Sequence, residues 1–241
     1  MAREYSEDDV RIRPGRRSRP RSKERPSYDG ARVGLVTAVD RGRLTVDLGR
    51  GEPTVSAVRA RELGRRSVVV GDRVAVVGDL SGVDGSLARI VRQEPRRTSL
   101  RRTPDDSDPV ERIVVANADI LGIVVSAAEP EPREGFIDRC LVAAYDGGLT
   151  PLLIVTKTDL APADALAAAY APLGLEFIST SRTTDPVAVA DRLTEHVTVL
   201  IGQSGVGKST LVNRLVPDAD RDTGAVNQVT GRGRHTSTRC V

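Results

Sequence analysis

The run Val197-Thr198-Val199-Leu200-Ile201, followed by Gly202-Gln203-Ser204-Gly205-Val206-Gly207-Lys208-Ser209-Thr210, constrains the fold more than any other stretch. The first part is apolar and β-branched, the composition of a buried parallel strand. The second fits the phosphate-loop pattern G-x-x-x-x-G-K-[ST] without a mismatch. Leu211, Val212 and Leu215 then recur at helical spacing, and Pro217 marks a stop. Strand, glycine-rich loop and helix together predict a parallel α/β sheet. Glycines let backbone N–H groups turn inward as an anion nest, and the helix N-terminus adds partial positive charge. Lys208 would reach the β- and γ-phosphates of a nucleotide, and Ser209 would offer its hydroxyl to Mg²⁺.

A second motif, Thr156-Lys157-Thr158-Asp159, follows the apolar run Leu152-Leu153-Ile154-Val155. A carboxylate at Asp159 accepts from the N1–H and N2–H₂ of guanine, a donor pair that adenine lacks, so it selects G over A. Lys157 would lay its aliphatic stem along the base. The commonest form of this loop begins with Asn; Thr156 can brace the loop with one hydroxyl instead of an amide. Lysine usage agrees with both motifs. Lys+Arg total 36, yet the lysines are Lys23, Lys157 and Lys208 alone, so Lys stands where a compact ammonium on a flexible stem is wanted. In an ordinary GTPase the phosphate loop precedes the base-reading loop. The reverse order here predicts a circularly permuted GTPase. The rival from another class is a P-loop ATPase or small-molecule kinase, which predicts ATP preference and leaves Asp159 without a role.

Two further stretches are candidates for the same site. Leu175 to Arg182 reads as a strand ending in a polar loop, with Thr180 and Ser181 placed either to back a guanine or simply to turn the chain. The run from Thr223 to Thr238 is glycine-rich and lacks apolar periodicity, so it is expected to be a mobile loop where switch I sits. Thr236, Ser237 and Thr238 are candidate Mg²⁺ hydroxyls. His235 suits a phosphate or RNA contact, or is a solvated loop histidine. His196 is read as structural.

These residues resemble the small-ribosomal-subunit biogenesis GTPases of the RsgA type. The likeness is carried by Gly202 to Ser209, by Gly233-Arg234-His235-Thr236-Ser237-Thr238, and by the permuted order. Ala116-Asn117-Ala118-Asp119, Ile137-Asp138-Arg139-Cys140-Leu141 and Pro95-Arg96-Arg97-Thr98-Ser99-Leu100-Arg101-Arg102 also look like that family. The resemblance implies GTP/GDP and Mg²⁺ as ligands, with Lys208 and His235 in catalysis. It implies the 30S ribosomal subunit and 16S rRNA as partners, and a monomeric cytoplasmic protein whose slow turnover the subunit stimulates. The family continues into an Asp-x-Pro-Gly loop and a helical domain holding zinc through three cysteines and a histidine. This chain reaches Val241 with neither, so it is expected to be C-terminally truncated, and zinc is expected only in the complete family member. Cys140 and Cys240 lack metal-ligand spacing. A nucleotide-gated RNA-binding module without hydrolysis is the alternative reading.

Layout bounds the rest. Residues 1–30 are dense in Arg with Pro, Ser and Gly, and are expected to be a disordered tail, either an RNA-touching arm or a solvated one. Residues 31–95 alternate short β-rich runs with turns, which predicts an OB-type barrel. Its expected strands are Val33 to Val39, Arg43 to Leu48, Val68 to Val70, Val74 to Val77 and Leu87 to Val91. Residues 96–112 read as a linker, and 113–241 as the permuted GTPase domain, with helices over Phe136 to Tyr145, Ala163 to Ala171 and Val187 to Glu195. No apolar stretch approaches a membrane span, and two cysteines suit a reducing compartment.

Overall fold

The computed structural model describes residues 28–40, 42–49, 51–63, 68–102 and 112–216. The arginine-rich tail up to residue 27 and the expected switch I run, His235 to Thr238 included, lie outside them.

The first unit is a closed barrel. Its strands are β1 (Arg32–Asp40), β2 (Arg43–Asp47), β3 (Thr54–Arg59), β4 (Arg73–Gly78) and β5 (Ala88–Gln93), ordered β1-β2-β3-β5-β4. β3 pairs β5 in parallel, and β4 returns antiparallel to β1. This is the OB-type barrel that alternation predicts. Period-2 patterning fills it: Val36, Leu44, Val46, Val55, Ala57, Val74, Val76, Ala88 and Ile90 form the interior. Two details differ from the sequence reading. Val68-Val69-Val70 is not a strand; Val68 and Val70 are buried, and Val70 makes an isolated bridge with Val115. The third strand is instead Thr54–Arg59, whose Val55 and Ala57 point inward.

β6 (Ser99–Arg102), inside the stretch expected to be a linker, pairs antiparallel with β7 (Arg112–Ala116). A Cβ on Gly147 would stand 2.3 Å from the Ser99 carbonyl oxygen, so α1 (Glu134–Gly147) lies close against β6.

The second unit alternates strand and helix. β8 (Ile120–Ser126), β9 (Thr150–Thr156), β10 (Glu176–Ser179) and β11 (Thr198–Ile201) form a parallel sheet ordered β10-β9-β8-β11. Neighbouring residues go to opposite faces. Leu121, Ile123, Val125, Leu153 and Val155 pack with Ile137, Cys140, Leu141 and Ala144 of α1 and with Tyr170 of α2 (Asp164–Tyr170). Ile120, Val124, Leu152 and Ile154 pack with Val189 of α3 (Val187–Leu193) and Leu211 of α4 (Lys208–Leu215). Strands buried on both faces read as continuous apolar runs, which is why the sequence locates them well.

The two units are bolted together by polar groups. The Asp72 carboxylate is fully buried. It accepts from Arg96 Nε at 2.7 Å and Nη2 at 2.8 Å, and from the Val69 N–H at 2.8 Å. Asn117, at φ 56°, donates from Nδ2 to the Gly71 carbonyl at 2.9 Å and accepts the Arg97 N–H at 2.8 Å. The Ala116 N–H donates to the Val70 carbonyl. Gly71 is required at this contact: a Cβ there would come within 1.9 Å of the Ala116 oxygen.

Candidate nucleotide-binding site

The sheet brings both sequence motifs to the carboxyl ends of its strands, where open α/β sheets bind ligands. The loop after β11 spans residues 202–207 and enters α4 through Gly207 at φ 96°. Gly202 sits so close to β8 that a Cβ would meet the Val124 oxygen at 2.2 Å. Val206 is buried among Val124, Ile154 and Leu211, so it offers the loop backbone only. Ser209 is half-buried in the first turn of α4, and Thr210 is exposed. Lys208 folds back along the loop, donating from Nζ to Gly202 O at 2.7 Å and Gln203 O at 2.6 Å. Burial lowers its pKa below the usual lysine range, because the charged form loses water.

Thr156 ends β9 and is buried. Its hydroxyl lies 2.6 Å from Val206 O and 3.2 Å from Val125 O, so the base-reading loop is tied to the phosphate loop across the sheet. One hydroxyl thus bridges the two motifs at the position where an amide is commoner. Lys157 adopts the left-handed region at φ 59° and donates to the Glu129 carbonyl. Burial also lowers its pKa; Glu129 opposes the shift, and nearby Arg182 reinforces it. Thr158 donates from its hydroxyl to Thr180 O at 3.2 Å, and the exposed Asp159 follows. Thr180 is buried and its hydroxyl has no partner among the described residues. Ser181 Oγ accepts from the N–H groups of Thr183 at 3.2 Å and Thr184 at 3.1 Å, which shapes the loop after β10. His196 is exposed at the opposite end of β11.

The geometry adds three residues that sequence reading missed. The Ser126 hydroxyl, fully buried, lies 3.2 Å from Glu129 O and so shapes the turn whose carbonyl receives Lys157. Arg182 stands near Lys157. Arg214, in the last turn of α4, donates to the loop after β10. None of these matches a motif; their partners are chosen by the tertiary fold.

The residues fit a nucleotide with its Mg²⁺. A glycine cradle that a Cβ would fill, a half-buried lysine with a lowered pKa and a hydroxyl at the helix start suit phosphates and a hard cation. The base-reading loop follows β9, the phosphate loop follows β11, and β8 lies between these two strands. The fold and the site together therefore define a circularly permuted P-loop GTPase domain behind an OB-type barrel.

A model of the RsgA GTPase family matches residues 93–241, and the chain belongs to that family. The small ribosomal subunit biogenesis GTPase RsgA of Pseudomonas syringae pv. syringae (strain B728a) is 38% identical over 215 residues, covering 86% of this chain and 61% of that protein. Its counterpart in Azotobacter vinelandii (strain DJ / ATCC BAA-1303) is 43% identical over 157 residues, covering 62% of this chain and 45% of the relative. The chain thus spans about three-fifths or less of the curated relatives it matches. Among solved structures, YjeQ from Thermotoga maritima superposes with a TM-score of 0.61 at 26% identity, over 83% of this chain and 68% of that one. YloQ, described as a circularly permuted GTPase, superposes with a TM-score of 0.58 at 21% identity, over 87% of this chain and 72% of that one, and so shares the fold.

Proposed function

We propose that this protein binds GTP and GDP with Mg²⁺, hydrolyses GTP, and acts in maturation of the 30S ribosomal subunit by docking on 16S rRNA. One observation carries the nucleotide part: the Thr156 hydroxyl reaches Val206 O, so the base-reading and phosphate-reading loops are halves of a single site. Asp159 and Lys157 select and flank guanine, and Thr180 and Ser181 back it. The loop from Gly202 to Gly207 cradles phosphate, with Lys208 supplying charge and Ser209 a metal hydroxyl. Bound Mg²⁺ would neutralise charge developing on the transferred phosphoryl group. His235 and a hydroxyl among Thr236, Ser237 and Thr238 are the proposed switch I contribution.

The ribosomal part rests on the relatives, named as small ribosomal subunit biogenesis GTPases. The barrel supports it by exposing Arg43, Arg73, Arg89 and Arg92, cations suited to RNA phosphates. No helix of the described residues is long and apolar enough to cross a membrane. A cytoplasmic monomer is the corresponding assignment.

The test is equilibrium binding of labelled GDP and ADP, with Asp159→Asn beside the parent. The parent is expected to prefer GDP by at least about a hundredfold, and the variant to shift toward xanthosine diphosphate. Equal GDP and ADP affinity in a folded parent would overturn the guanine reading. Turnover of GTP with and without 30S subunits then separates a GTPase from a nucleotide-gated RNA-binding module.

A further inference from the structure

The strand order β10-β9-β8-β11 sets the loop after β8 between the base-reading loop and the phosphate loop. A nucleotide that spans those two loops lays its ribose across the end of β8. Main-chain contacts fix the loop there. The Ala127 N–H donates to Thr156 O at 2.8 Å, and the Ala128 N–H donates to Ser126 Oγ at 3.2 Å. Ser126 Oγ in turn donates to Glu129 O at 3.2 Å, and Lys157 Nζ donates to that same carbonyl.

Glu129 is thus pinned by its main chain beside the lysine proposed to flank the base, and its side chain is exposed. The carboxylate is close enough to act on the Lys157 ammonium, yet it makes no hydrogen bond or ion pair among the described residues. The ammonium goes to the main-chain oxygen instead. An unpaired anion beside a site for a polyanion works against the phosphates, so its place calls for a compensating contact. A carboxylate accepts hydrogen bonds and donates none. The guanine donors face Asp159, so the ribose 2′- and 3′-hydroxyls are the donors left for Glu129.

We propose that Glu129 reads the sugar: its carboxylate accepts from a 2′- or 3′-hydroxyl and so selects ribonucleotides over deoxyribonucleotides. A charged acceptor holds a hydroxyl more strongly than a neutral one does. A ligand without that hydroxyl leaves the carboxylate facing the phosphates with nothing gained. Lys157 then serves both parts of the nucleoside, its stem along the base and its ammonium holding the Glu129 main chain in place. This inference rests on the guanine reading above and adds the sugar to the base as a second axis of selectivity.

The experiment measures Kd for GDP, 2′-deoxy-GDP, 3′-deoxy-GDP and ADP in the parent, Glu129→Ala and Glu129→Gln. In the parent, GDP preference over ADP must appear first; its absence sinks the guanine reading and this inference with it. The parent is then expected to bind at least one deoxy form about tenfold more weakly than GDP. Glu129→Ala is expected to bind GDP no better than that deoxy form while still preferring GDP to ADP. Glu129→Gln, which keeps one acceptor oxygen, is expected to fall between. A parent that prefers GDP to ADP but binds GDP and both deoxy forms alike overturns the proposal and leaves the guanine reading intact. So does a Glu129→Ala variant that keeps the parent's ratio of GDP to deoxy-GDP affinity. That ratio is blind to a general loosening of the loop, which weakens every ligand together. If Glu129→Ala melts early, Glu129→Gln decides: it must narrow the ratio, or the proposal fails.

Discussion

At the scale of single residues, Lys208 sets the pH behaviour. Burial lowers its pKa from an ordinary 10.5, so the folded free protein releases this proton before the unfolded chain does. Between the lowered and the ordinary value the unfolded state binds more protons, and stability of the free protein rises with pH. Phosphate binding works the other way, because an anion favours the charged ammonium. GDP affinity is therefore expected to fall as pH rises through the lowered pKa, by up to about tenfold per pH unit. Titrations from neutral to alkaline pH check this, with a loss that begins below the ordinary lysine range. A flat profile up to that range would show that Lys208 does not meet the phosphates. Lys208 is also a residue that the sequence announces, since its pattern and context are local. Arg214 is not: nothing in the helical run Lys208 to Leu215 tells that its guanidinium will meet carbonyls that precede it by some thirty positions.

At the scale of elements, the contact between the loop after β9 and the loop after β11 hangs on one hydroxyl. Thr156→Ala is expected to leave Val206 O without its partner in a buried place, costing about 1–3 kcal/mol in urea unfolding. Faster GDP dissociation should accompany it, and Thr156→Ser should restore both. If Ala behaves as the parent does, the bridge is dispensable. The same scale shows where sequence reading holds and where it slips. β8 and β9 are buried on both faces and β11 is half-buried, and all three read directly as apolar runs. β3 was hidden because Val55 and Ala57 are its inward residues, and a small alanine and polar neighbours mute the alternation. Val68-Val69-Val70 misleads for the opposite reason: three valines look like a strand, yet Val68 packs into the barrel core and Val70 is buried with a single bridge to Val115, with no ladder formed. β6 was masked by arginines, with Leu100 as its buried residue. Hydrophobic count says what is buried; pairing is settled by the partners the chain meets.

At the scale of the whole molecule, the Asn117 amide on Gly71 O and the Ala116 N–H on Val70 O join the barrel to the segment that leads into the sheet, and the Asp72–Arg96 pair braces the barrel side of that joint. Arg96→Ala would strand a carboxylate that has no access to solvent, a change that costs about 3–5 kcal/mol. Thermal melting should fall by roughly 10 °C in a chain of this size. A fall within a degree or two would mean that water can replace the guanidinium. The position of Arg96 has a further consequence. By sequence it lies past the last barrel strand, but by structure it closes the barrel unit. A cut at the apparent boundary would part the buried Asp72 carboxylate from its guanidinium. Grafting a barrel from one relative onto the nucleotide unit of another would accordingly need Arg96, Asn117 and Gly71 to travel as a matched set, so the joint, more than either unit, limits how freely such proteins can exchange their parts.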